Sequence, residues 1–243
     1  MTIEFEERAV AFIDILGFSV LVNNAELDSS VLSKLNSLID LLTSVIPFLD
    51  SGVNRDVPSH LIPTHTYISD SIILSAPLHD EEMTSYDGLS IIVMRCIQLT
   101  HHFLKAGYLV RGGISIGNVW HTPSNIVGPA YQKAYQIEKD GSIPSIVLSD
   151  TAKDHWRNHS FGSRMCIQND GITMVNGLHD YYIPNNTSHG VTEQRFESYE
   201  SLADDSINSE LPDSAKDKWL WFKEYLNAEK SEAMQWASAE SIS

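Results

Sequence analysis

The chain has 243 residues, 42% hydrophobic and 20% charged, which suits one large packed domain or a domain with an appendage and excludes global disorder. Sixteen Lys and Arg against 32 Asp and Glu leave a net charge of −16, and such a surface repels nucleic acid and anionic membrane. A polyphosphate ligand would therefore need metal ions or a local patch of donors.

Residues 8–14 (RAVAFID) read as a buried strand closing at Asp14-Ile15-Leu16-Gly17. Helical spacing of apolar residues from Val31 to Leu49 predicts a helix there, capped by Ser29 or Ser30. Gly, Asn, Asp and Pro make 50–63 a loop. Residues 64–69 and 71–76 read as strands meeting in a tight hairpin at Ser69-Asp70-Ser71. A second helix is expected over 84–105, stopped by Gly107, then two strands over 108–122 joined near Gly117-Asn118. Residues 128–139 form a short helix with Pro129 in its first turn and Gly141 at its end. This order is the ferredoxin-like βαββαβ plan, an α+β fold with an antiparallel sheet under helices.

Beyond it come a strand at 145–149, a short helix from Asp150 and a meander through 163–184. The polar, acidic stretch 186–214 reads as a loop or linker, and 215–227 (AKDKWLWFKEYLN) as an aromatic amphipathic helix docked on the domain. The organisation expected is a domain over 1–185, a linker over 186–214, and a C-terminal helix and tail over 215–243. Two cysteines, Cys96 and Cys166, make neither a disulfide framework nor a four-ligand zinc site. No leader is visible in MTIEFEERAV, and no apolar run approaches the ~18–20 residues of a membrane span. A cytoplasmic setting follows as the expectation.

Asp14 closes an apolar strand, where an acid is costly unless it is paired or binds a cation. Its alternative is a helix N-cap before residues 15–24. Asp70 sits at a hairpin tip, where Asp also favours ordinary turn chemistry. The βαββαβ plan sets the two on adjacent strands. Two carboxylates so placed repel each other, and hard oxygen donors suit Mg²⁺ or Mn²⁺. After Asp14, Gly17 lets the chain turn close to a ligand, with the following amides free for phosphate oxygens. Gly112 and Gly113 in a strand mark a close approach by a ligand or a partner subunit, or else a bulge or twist. Arg111 either meets phosphate or base, or else faces solvent or pairs with one of the acids. His65 lies beside the hairpin, with a structural role favoured.

Four segments carry a family resemblance. Phe12-Ile13-Asp14-Ile15-Leu16-Gly17-Phe18-Ser19 resembles the "FxDxxGFT/S" signature of class III nucleotide cyclases, and Ile68-Ser69-Asp70-Ser71-Ile72 their "GDS" hairpin. Arg111-Gly112-Gly113-Ile114-Ser115-Ile116-Gly117 resembles their "RxGIxxG" strand, and Gly128 to Tyr135 their "GxxVNxAxR" helix. The matches keep chain order over roughly residues 8–150. Within the class, "RGGIS.G", "GPA…AY.IE" and "PSIVLSD" look most like the bacterial pyrimidine cyclases of Pycsar anti-phage systems.

The resemblance implies two divalent cations, Mn²⁺ or Mg²⁺, held by Asp14, Asp70 and the backbone carbonyl of Ile15. It implies that the amides at Phe18 and Ser19 cradle the β- and γ-phosphates. It also implies a homodimer in which each site is shared. The ribose-positioning Asn of the family is Gln132 here, and the transition-state Arg is Gln136, leaving Arg111 or Lys133 as the nearby cations. The purine-reading Lys and Asp correspond to Thr66 and Asn125, which is compatible with a pyrimidine base. The function expected is a UTP cyclase making cyclic UMP and pyrophosphate as an antiviral second messenger. The alternatives are a CTP cyclase and an inactive nucleotide-binding module.

Overall fold

The computed structural model describes residues 2–158, 164–179 and 189–240, the side chains of 189–193 and 233–240 excepted. It divides into two units, Met1–Gly177 and Leu178–Ser243.

In the first unit β1 (Glu6–Ile15) is a run of β-branched and small apolar residues buried from Arg8 to Ile13. It lies between β3 (Ser71–Pro77) and β4 (Val110–Thr122), antiparallel to both. β2 (Thr64–Ile68) pairs with β3, giving the order β2-β3-β1-β4. This is the expected α+β ferredoxin-like arrangement. β6 (Ile146–Leu148) extends the sheet parallel to β4, and the antiparallel pair β7 (Cys166–Asn169) and β8 (Ile172–Val175) completes it. The part of the expected meander beyond residue 179 lies outside the described residues.

Residues 108–122 form one long strand, not two. Gly117 and Asn118 pair with Arg8 and Glu7, because β1 offers a partner long enough to carry the ladder through a Gly-Asn step. The chain turns later, between Thr122 and Asn125, into the short β5 (Asn125–Val127).

Helices α1 (Phe18–Ala25) and α2 (Ser29–Ser51) connect β1 to β2. The cap of α2 is Asp28, whose carboxylate accepts from the Ser30 amide at 2.7 Å, and not Ser29 or Ser30. α2 buries Leu38, Leu42, Val45, Ile46 and Leu49. Among the described residues it is also the one helix long and apolar enough to cross a membrane, with mean hydropathy 1.3 over 18 residues. This corrects the expectation that no apolar run approaches that length. Uncharged Ser, Thr and Asn break up the Leu and Ile without lowering the mean far.

α3 (Gly88–Lys105) packs on β1 and β3. α4 (Pro129–Asp140) covers β4 and β1 on the opposite face, where Val10, Phe12, Ile73, Val119 and Ile126 meet Ala130 and Ala134. The glycines of β4 make this possible. A Cβ on Gly113 would lie 2.3 Å from the Ala134 carbonyl oxygen and 2.7 Å from Ile137 Cβ. The close approach foreseen at Gly112-Gly113 is therefore made by the chain's own helix and, at Gly112, by the Phe12 carbonyl at 2.4 Å. α5 (Asp150–Asn158) follows β6.

In the second unit, α6 (His189–Asn208) occupies most of the stretch expected to be a loop or linker. Phe196, Tyr199 and Ala203 are buried at helical spacing, a stripe diluted by the surrounding acids. Residues 186–188 lie outside the described residues. α7 (Asp213–Glu240) contains the expected aromatic helix and runs well past it. Lys223 pairs with Asp204, and Lys230 with Glu200 at 2.8 Å, so α6 and α7 run antiparallel.

Candidate functional site

Side chains alternate along a strand, so Val10, Phe12 and Asp14 share the sheet face that α4 covers. At the end of β1 that face opens, and Asp14 is half-buried. Its ladder neighbours are Ser71 on β3 and Arg111 on β4. Ser71 Oγ donates to Asp14 Oδ1 at 3.1 Å. Asp70 precedes Ser71 in the two-residue turn between β2 and β3, where Ser69 takes φ 57°. The turn thus brings Asp70 beside Asp14. Neither aspartate forms an ion pair with the described residues.

Burial first, then the charges of Asp70 and Glu138, raise the Asp14 pKa from 3.8 to about 7. The Ser71 bond and Arg111 oppose this more weakly. A carboxyl with a raised folded pKa adds stability that is complete below about 4 and is lost as pH rises through about 7. Without cations, ionised Asp14 is a strain on the fold at neutral pH. Unscreened, the displacement is worth about 4 kcal/mol, and solvent screening at a half-exposed group brings it to about 1–2 kcal/mol. Asp14→Asn should therefore melt higher than the parent in chelator near pH 8, by about 2–8 °C, with the gain shrinking toward pH 5. A variant that melts lower at both pH values would show that the carboxylate is not strained.

Asp14 is not a helix cap. Gly17, at φ 87°, is the N-cap of α1 and brings no side chain to its first turn. The amides of Phe18 and Ser19 therefore begin a helix with no side-chain acceptor. Phe18 is half-buried and Ser19 exposed. Ile15, 1% exposed, ends β1 opposite Val110.

Two unpaired, partly desolvated carboxylates with a nearby backbone carbonyl are hard oxygen donors, and they fit Mg²⁺ or Mn²⁺. Among the described residues no group of three or more His, Cys, Asp or Glu is placed to hold a metal. A cation at Asp14 and Asp70 would complete its shell with phosphate oxygens and water, as Mg²⁺ commonly does.

Arg111 is engaged. Its Nε donates to Glu138 Oε1 at 2.8 Å, its Nη2 donates to the same oxygen, and its Nη1 donates to the Gly141 carbonyl at 3.0 Å. Of the readings open from sequence, the acid pair is the one seen. Glu138 was not foreseen as a site residue. An acid on a helix normally reads as solvent-facing, yet Glu138 follows Ala130 and Ala134 on the buried stripe and is 5% exposed. That stripe was the available signal.

Gln132 is exposed on α4, and Gln136 donates from Nε2 to Asp140 at 2.8 Å. Lys133 lines a cleft of about 340 Å³ with Ser115, Gly117, Ser149 and Thr151, and neither Asp14 nor Asp70 borders it.

Thr66, in the middle of β2, and Asn125, at the start of β5, lie near one another. Thr66 Oγ1 donates to the Thr122 carbonyl at 2.9 Å, and Thr122 pairs with Asn125. With its proton so used, Thr66 Oγ1 accepts from His121 Nε2 at 3.0 Å. His121 Nδ1 then accepts from Ser75 Oγ at 2.7 Å, and Ser75 Oγ accepts from Arg8 Nε at 2.8 Å. The order requires a neutral imidazole, and burial, with Arg8 and His65 nearby, pushes the His121 pKa down to about 4. Thr66 is 6% exposed and its hydroxyl is committed to this chain, while Asn125 is exposed. His65 is half-buried on β2, edge-on to Tyr67 at 5.2 Å, and burial lowers its pKa.

No protein-family model and no curated protein sequence matches the chain. Among solved structures it is similar to an adenylate/guanylate cyclase/hydrolase from Silicibacter pomeroyi, 15% identical with TM-score 0.45, over 71% of this chain and 95% of that one. It is similar to the catalytic core of a rhodopsin-guanylyl cyclase, 16% identical with TM-score 0.49, over 72% of this chain and 98% of that one. It is also similar to a class III adenylyl cyclase-like ATP-binding protein from Pseudomonas aeruginosa, 13% identical with TM-score 0.44, over 62% of this chain and 34% of that one. Likeness at this level carries no argument for function, and the functional reading stands on the residues of this chain.

Proposed function

We propose that the protein is a divalent-cation-dependent nucleotide cyclase of the class III type, converting UTP to cyclic 3′,5′-UMP and pyrophosphate. The observation that carries the reading is the meeting of Asp14 and Asp70, unpaired, beside the uncapped start of α1. Bound Mg²⁺ or Mn²⁺ would supply charge neutralisation on the triphosphate and acidify the ribose 3′-hydroxyl. Asp14 and Asp70, with the Ile15 carbonyl, hold and orient the cations. The amides of Phe18 and Ser19 take the β- and γ-phosphate oxygens, where the helix N-terminus favours negative charge. Gln132 donates a hydrogen bond to the ribose or the α-phosphate. Arg111, paired with Glu138, lies beside the triphosphate as part of a neutral pair and not as a free positive charge. Exposed Asn125 stands at the base end, and the neutral hydroxyl of Thr66 there lacks the cation expected of a purine reader. The site is completed by a second copy of the chain, with α4 from one protomer facing the aspartates of its partner. The antiviral messenger role rests on the Pycsar resemblance alone.

A second reading has its own observation. Exposed Gln136, bonded to Asp140, carries no charge where a transition-state arginine is expected, which suits a binding module without turnover. Incubating the protein with each of the four nucleoside triphosphates and Mn²⁺, and measuring pyrophosphate and cyclic product, separates the two. Cyclic UMP as the main product is expected. Cyclic CMP would move the base assignment, and binding without turnover of any nucleotide would favour the module.

A further inference from the structure

We infer that Glu138 is a positioning residue that holds the Arg111 guanidinium off Asp14 and so keeps that carboxylate open to a divalent cation. The inference rests on the reading of Asp14 and Asp70 as cation ligands.

Arg111 stands directly opposite Asp14 in the β1–β4 ladder, so both side chains share the α4 face. Directly opposed residues have Cβ atoms only about 5 Å apart. An arginine there reaches the carboxylate easily, and the bidentate pair would be strong. The guanidinium nevertheless turns away. Nε and Nη2 both donate to Glu138 Oε1, and Nη1 donates to the Gly141 carbonyl at 3.0 Å. Asp14 keeps only the Ser71 hydroxyl among the described side chains.

The reason lies on α4. Glu138 is 5% exposed and Arg111 is its partner among the described residues. A buried carboxylate without a counter-charge costs several kcal/mol, more than a half-exposed one such as Asp14. Arg111 therefore goes to the acid that needs it more. The closing turn of α4 supplies the Gly141 carbonyl as a further anchor. The Arg111–Glu138 unit is neutral, which leaves the two charges of Asp14 and Asp70 for a cation.

The test is Mn²⁺ binding by the full chain without nucleotide, read from the electron paramagnetic resonance signal of free Mn²⁺. Glu138→Gln keeps the shape and removes the charge, freeing Arg111 to close on Asp14, and should weaken Mn²⁺ binding about 10-fold. Adding Arg111→Ala to Glu138→Gln should restore binding to within about threefold of the parent, since the competitor is gone. Glu138→Asp keeps the charge but shortens the reach. It should weaken binding about threefold and gives the same reading if the amide variant does not fold. A Glu138→Gln protein that folds and binds Mn²⁺ like the parent overturns the inference. So does equal weakness in single and double variants, because Glu138 would then act through the fold. A parent chain that binds no Mn²⁺ overturns the reading of the aspartates, and this inference falls with it.

Discussion

Asp14→Ala and Asp70→Ala should each lower nucleotide turnover by about 1,000-fold or more while leaving the protein folded. The size follows from what each carboxylate does. On a chain of net charge −16, a triphosphate needs cations in place, and the proposed function assigns these two side chains to hold them. Preserved folding follows from the same geometry. Asp14 forms no ion pair with the described residues, accepts one hydrogen bond from Ser71, and ionises against burial and its acidic neighbours, which raise its pKa to about 7. Removing it relieves strain, so activity and stability should move in opposite directions. Thermal melting and product formation on the same preparation check this. Near-normal turnover in either variant would remove the cation assignment.

Gly113→Ala should have the largest effect on stability. The added Cβ would meet the Ala134 carbonyl oxygen at 2.3 Å and Ile137 Cβ at 2.7 Å. One obstacle is helix backbone and the other a branched carbon next to it, so neither yields by rotating a side chain. α4 must lift from β4, at about 3 kcal/mol or more. For a domain of this size that corresponds to about 6–12 °C in melting temperature. Because α4 carries both Gln132 and Glu138, turnover should fall as well. An unchanged melting temperature would mean that α4 does not sit on Gly113.

Much of this was legible in the residues, for identifiable reasons. β1 announced itself because five apolar residues, Ala9 to Ile13, run between Arg8 and Asp14, the acid proposed as a cation ligand. The β2–β3 hairpin was legible because Ser69-Asp70 is a turn between β-rich runs, and strand order then placed Asp70 beside Asp14. Local pattern failed where tertiary partners decide. Gly117-Asn118 has turn chemistry, but ten consecutive ladder positions on β1 hold it extended. The α6 stripe of Phe196, Tyr199 and Ala203 is too sparse among acids to stand out before its burial is known. Glu138 was invisible as Arg111's partner because the pairing joins a strand to the helix that follows it. Thr66 was placed at the base end by motif alignment, which carries no information that its hydroxyl is already committed to Thr122 and His121.

On the proposed reading, Asp14 and Asp70 together gather divalent cations onto a triphosphate. Anomalous scattering from crystals grown with Mn²⁺ and a non-hydrolysable UTP analogue tests it most directly. Peaks within about 2.0–2.6 Å of both carboxylates, with phosphate oxygens in the same shell, are the expected result. Bound nucleotide with manganese elsewhere, or with no manganese at either aspartate, would contradict it.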